Sequence, residues 1–214
     1  MAKILHVSRT TVVRKLIFMG LKSEVDLKES NEAHSKASII EFDDMETFEH
    51  TKCKPLSITL AVEHRTRRIL GFEISQMPAK GKLAKKAVKK YGPRKDERAQ
   101  GRERLFAKIK PLIEPDALIK SDENPHYVAD VAKHFPLARH ERFKGTRGSI
   151  VGQGELKKIR FDPLFSLNHT CAMFRANVNR LFRKTWCTTK NRDRLRAHLA
   201  MYAVYHNFHL LNGS

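Results

Sequence analysis

Apolar positions along this chain change period several times, and each change marks an element. Residues 37–44, "ASIIEFDD", open on a short apolar run that predicts a buried strand. In "LSITLAVEHRTRRILGFEISQM", residues 56–77, Ile58, Leu60 and Val62 alternate inward, which predicts two strands turning near Arg65 to Arg67. Three successive antiparallel strands are therefore expected. The period then becomes helical, with one helix inside residues 80–95 ending at Gly92 and a second from about Glu97 to Ile113. A short buried strand, Ala117 to Lys120, closes at Asp122 with a turn at Asn124 and Pro125. "HYVADVAKHF" predicts a helix and "LARHERF" a last strand, and Gly145 to Gly154 is a flexible, glycine-rich stretch. Asp162 and Pro163 start a long helix whose buried stripe is Leu164, Leu167, Cys171, Phe174, Val178 and Leu181. A final helix, about Arg192 to His209, buries Leu195, Leu199, Tyr202 and His206 or their neighbours.

The N-terminal residues are patterned differently. Ser8 is a candidate N-cap, followed by Val12, Val13, Leu16 and Ile17 at helical spacing. This pattern fits the second half of a helix-turn-helix, with Arg9, Thr10, Thr11 and Arg14 facing base edges and phosphates, and it fits an amphipathic surface helix equally. A complete helix-turn-helix needs another helix before Met1, so the chain reads as N-terminally shortened. Leu21 to Lys36 has no clear period and reads as a linker. The expected division is residues 1–36, a partial helix-turn-helix and linker, and 37–214, one α/β domain. Three strands, helices, a strand, a helix, a strand and long helices is the succession of a ribonuclease H-like domain. Such a domain has a mixed sheet, flanking helices and its first strand beside its fourth.

Composition narrows the partners. The 214 residues carry 42 Lys and Arg against 23 Asp and Glu, a net charge of +19 that draws polyanions. Nucleic acid is the expected partner. Residues 80–95 hold eight cations and no acid, so Lys82, Lys85, Lys86, Lys89 and Lys90 are candidate phosphate contacts. No apolar run is long enough to cross a bilayer, and the N-terminus lacks the order of a signal peptide. A cytosolic protein without a membrane partner is expected. Cys53, Cys171 and Cys187 are too few and too scattered for a disulfide framework or zinc knuckle. The eleven histidines form no HExxH or Cys/His quartet, and no GxGxxG or phosphate-binding loop follows a strand.

The acids are the exception to the basic background. "IIEFDDMETFE", residues 39–49, gathers five carboxylates and no cation. Asp43 follows a buried run, and so does Asp122. A carboxylate at the end of a buried strand costs desolvation unless a cation compensates. If the two strands pair, the carboxylates converge, and Mg²⁺, a hard cation that prefers oxygen ligands, relieves their repulsion. Mn²⁺ satisfies the same donors. Asp44, Glu46 and Glu49 read as solvated loop acids.

At these residues the sequence resembles a known family. "FDDMETF", "IKSDENPHY", "LNHTCAMFRANVNRLFRKTW" and "YHN" are similar to bacterial insertion-sequence transposases of the DDE type, nearest to the group that includes insertion sequence one. The resemblance spans about residues 38 to 210. It implies a ribonuclease H-like core, two Mg²⁺ ions, strand cleavage and strand transfer on double-stranded DNA at element ends, and a homo-oligomer on DNA. Asp43 matches the first catalytic acid, with Asp44 in place of the usual glutamate, and Asp122 matches the second. The third acid falls on Phe174, which cannot bind metal. Glu155 is the substitute by reach along the chain, with Asn177 as a neutral alternative, and His169 is a possible phosphate contact. An inactive, truncated DNA-binding remnant is the other expectation, and a nuclease or junction resolvase the third.

Overall fold

The computed structural model describes residues 2–144, 162–182 and 186–211. Strands β1 (Ala37–Phe48), β2 (Pro55–Glu63) and β3 (Ile69–Gln76) form an antiparallel meander. Strands β4 (Ile113–Asp122) and β5 (Arg139–Phe143) add to the other edge of β1 in parallel, giving the order β3-β2-β1-β4-β5. The first strand thus lies beside the fourth, at the sheet centre. The turn between β2 and β3 holds Arg65 and Arg67 at φ of 68° and 64°, left-handed conformations that reverse the chain there. The edge strand β5, "RHERF", carries charges that disfavour pairing with another sheet.

Strand alternation sends side chains into two cores. Ile40 and Phe42 face Leu105, Phe106 and Ile109 of α3 (Arg98–Ile109) and Tyr127 and Val131 of α4 (Pro125–His134). Met45, Ile58, Leu60 and Val62 face Leu167 and Phe174 of α5 (Phe165–Asn177) and Leu195 and Leu199 of α6 (Arg192–Tyr205). Helix α2 (Leu83–Tyr91) ends at Gly92, as its sequence predicts, at φ 75°.

Three expectations are corrected. The stretch read as a linker belongs to α1, one helix from Arg9 to Ala33, capped by Ser8 through the Thr11 N–H. Its rear half docks on α6 through Gly20, where an added Cβ would lie 2.3 Å from that of Ala197. Leu27 enters the core, and the Asn31 side-chain amide donates to the Ile69 and Leu70 carbonyls. Strand β1 runs on to Phe48, so Asp44 and Glu46 are strand residues rather than loop acids. Asp44 is paired with Arg102, Glu46 with Lys80, and Glu49, just past the strand, lies 3.9 Å from Arg94. The long helix breaks at Val178, which is extended, before a short turn over Asn179–Leu181 that keeps Val178 and Leu181 buried.

Candidate active site

The site is set by where two strands part. β1 and β4 are paired up to Glu41 and Lys120, while β4 continues alongside β5 to Asp122. Asp43 and Asp122 lie just beyond the last β1–β4 pair, one on each side of the gap. Asp43 is thereby raised to about 7, first by burial and next by the charge of Asp122. The two carboxylates therefore converge, although Asp43 lies mid-strand rather than at a strand end.

Their hydrogen bonds are one-sided. Asp43 Oδ1 accepts from the Asp44 N–H at 2.6 Å and from the Tyr127 hydroxyl at 2.9 Å. Asp122 Oδ1 accepts from the Asn124 N–H at 2.9 Å, and Asn124 in turn caps α4 through the His126 N–H. Burial and the charges of Asp44, Asp43 and Asp122 keep the Tyr127 phenol protonated, so it is a standing donor to Asp43. Among the described residues no bond falls on Oδ2 of either aspartate, leaving an oxygen of each for a cation. Two carboxylates, completed by water or phosphate oxygens, suit Mg²⁺. Among the described residues no three His, Cys, Asp or Glu side chains cluster as a metal site.

Helix α5 carries no acid. Phe174 is 1% exposed and sits 4.7 Å from the Tyr202 ring, so it belongs to the core. Cys171, one turn earlier, lies near enough to Asp43 for that charge to act on its thiol, which burial pushes up to about 12. Asn177 donates to the Met173 carbonyl. His169 lies 3.2 Å from an Arg67 guanidinium nitrogen. Glu155 lies outside the described residues.

The sequence reading gave no role to three residues, although Tyr127 closes the motif "IKSDENPHY". Tyr127 is fully buried one turn into α4. Arg102, 4% exposed, bonds Asp130 at 2.5 Å and Asp44 at 3.4 Å and lies 5.3 Å from the Tyr127 ring. It ties α3, α4 and β1 behind the pair. Glu41 is fully buried, bonds His64, and accepts the Leu167 N–H at 2.8 Å in the first turn of α5. A carboxylate there complements the helix N-terminus and fixes α5 against β1. Arg102 and Glu41 lie far from their partners in sequence, so spacing held no signal for them.

The basic candidates are all on the surface. Lys82, Lys85, Lys86, Lys89 and Lys90 are exposed, and none appears in an ion pair among the described residues. Arg9, Thr10, Thr11 and Arg14 are exposed on the first turns of α1. No described helix is long and apolar enough to cross a membrane. No family model matches this chain, and no curated protein matches it at a significant level.

Proposed function

We propose that the protein is a DDE-type transposase with a ribonuclease H-like core, cleaving and transferring DNA strands. The observation that carries this reading is the convergence of Asp43 and Asp122, far apart in sequence, at the parting of β1 and β4. The strand order and the lysines of α2, unpaired among the described residues, support it. Asp43 and Asp122 would hold Mg²⁺, or Mn²⁺. A divalent ion at such a pair supplies Lewis acidity toward a phosphodiester oxygen and lowers the pKa of bound water.

The protein's own groups do the rest. Tyr127 orients the Asp43 carboxylate and biases which oxygen faces the gap. Arg102 pairs with both Asp44 and Asp130 and offsets part of the charge that Asp44 adds beside Asp43. Glu41 holds α5 over the sheet so that Cys171 and its neighbours close one side of the site. Glu155 is proposed as the third acid. The five lysines of α2 and the front of α1 bind backbone phosphates, placing the protein among nucleoid DNA in the cytoplasm. A homo-oligomer on DNA is proposed through α1, whose Ile17, Phe18, Leu21 and Val25 are exposed.

One observation favours a second reading: the absence of any acid on α5. If Glu155 supplies nothing, the protein is a DNA-binding remnant. Nicking of a labelled duplex with Mg²⁺ separates the two. Wild type nicks, while Asp43→Asn and Asp122→Asn lose nicking and keep salt-sensitive binding. Undiminished nicking by both variants would refute the site, and binding without nicking by wild type would establish the remnant.

A further inference from the structure

A cleft of about 330 Å³ lies between α2 and the segment joining β1 to β2. Phe48, Cys53, Leu83 and the Tyr91 ring supply its apolar lining, and Thr51 adds a hydroxyl beside them. Its rim is cationic, from Lys52, Lys86 and Lys90, with the Lys54 ammonium 4.8 Å and the Lys90 ammonium 5.4 Å from the Tyr91 ring centre. Among the described residues none of these four lysines is paired with a carboxylate. Four unneutralised ammoniums repel one another, and the Tyr91 ring offers two of them only a quadrupole.

We propose that this cleft binds a single unpaired nucleotide of a DNA strand. The base displaces the Lys54 and Lys90 ammoniums from the Tyr91 ring and stacks there, and the flanking phosphates take the ammoniums of Lys52, Lys54, Lys86 and Lys90. The chemistry calls for both halves of that ligand. Inorganic phosphate would satisfy the rim and leave the slot wet, while an apolar ligand would leave the lysines unrelieved. A paired base cannot enter, because its partner strand would meet the rim. The carbonyls at the C-terminal end of α2 disfavour an anion, and the lysines outweigh that partial charge. Stacking on an aromatic face tolerates any base, so the slot reads strand state rather than sequence.

The site deepens the DNA reading and rests on it, but it does not involve the aspartate pair. Its test is therefore run without divalent ions, by fluorescence anisotropy with two labelled probes: a blunt duplex and the same duplex interrupted by a run of unpaired thymines. Wild type is expected to prefer the interrupted probe. Tyr91→Ala and Tyr91→Leu lose about tenfold in affinity for that probe and stay within about twofold on the blunt duplex, while Tyr91→Phe behaves as wild type. Thermal melts of each variant establish that it folds, and Tyr91→Leu keeps the slot filled without a stacking face. Equal losses on both probes, or no loss on either, overturn the slot. Tight wild-type binding to the blunt duplex alone overturns it while sparing the DNA reading, and binding to neither probe overturns both.

Discussion

A carboxyl that resists ionisation is the most consequential single feature of this molecule. Asp43 is held near 7, against 3.8 for an ordinary aspartate, by burial and by Asp122. The folded state therefore holds a proton that the unfolded chain has released, and between those two values stability falls as pH rises. Asp43→Asn removes this penalty. In metal-free buffer at pH 8 the variant is expected to be more stable than wild type by on the order of 2 kcal/mol, a figure reduced for the part-exposed position, and to match it near pH 4. Melting curves across pH measure this, and Mg²⁺ is expected to raise the wild-type melting temperature more than that of the variant. Tyr127→Phe tests the neighbouring donor. Without that hydroxyl, ionised Asp43 loses stabilisation, and the alkaline rise of nicking is expected to move up by roughly 0.5–1 pH unit. A purely structural role would depress the rate evenly across the pH range.

Elements differ in how plainly they announce themselves. The meander was legible because Ile58, Leu60 and Val62 alternate against polar turns, and α2 because a glycine stops it. The rear of α1 was not. Its docking residues are Gly20, Ser23, Leu27 and Asn31, spaced as on a helix but only one of them apolar. Close approach to α6 demands small side chains, and the contact with β3 is made by an amide. A hydrophobic pattern cannot report either. Gly20→Val is accordingly expected to cost about 2–3 kcal/mol in urea unfolding, because Ala197 leaves no room for a side chain. Gly20→Ala combined with Ala197→Gly should recover most of the loss. Helix α5 shows the converse: its apolar spacing predicted burial of Phe174 correctly, while its first-turn tie to Glu41 depends on a strand far away in sequence.

At the scale of the whole molecule, charge and exposed apolar surface are the organising quantities. DNA affinity is expected to fall steeply with salt, and replacing Lys82, Lys85 and Lys89 with alanine should reduce the log–log salt slope by roughly 2–3 with no change in sequence preference. The homo-oligomer proposed on DNA is assigned to α1. From Arg9 to Ser23 it carries basic side chains and no acid, while from Glu24 to Ala33 four acids face one lysine. In the proposed antiparallel pair Ile17, Phe18, Leu21 and Val25 lie between the helices, and each basic front faces the acidic rear of its partner, where Glu24, Asp26 and Glu32 exchange Arg196, Lys22 and Lys28 for the partner's cations. Sedimentation of the DNA complex is expected to show a multimer for wild type and a single copy for Leu21→Glu.

Sequence alone determined the succession of strands and most of the helices, the charge, and which two aspartates follow buried runs, because periodicity, cap chemistry and net charge are local or additive properties. Tertiary structure decided what those aspartates face. Convergence of Asp43 on Asp122, the Tyr127 donor, the Arg102 tie and the burial of Glu41 arise from pairing between distant strands. Spacing along one chain does not encode which carboxylate will meet which partner once the strands have packed.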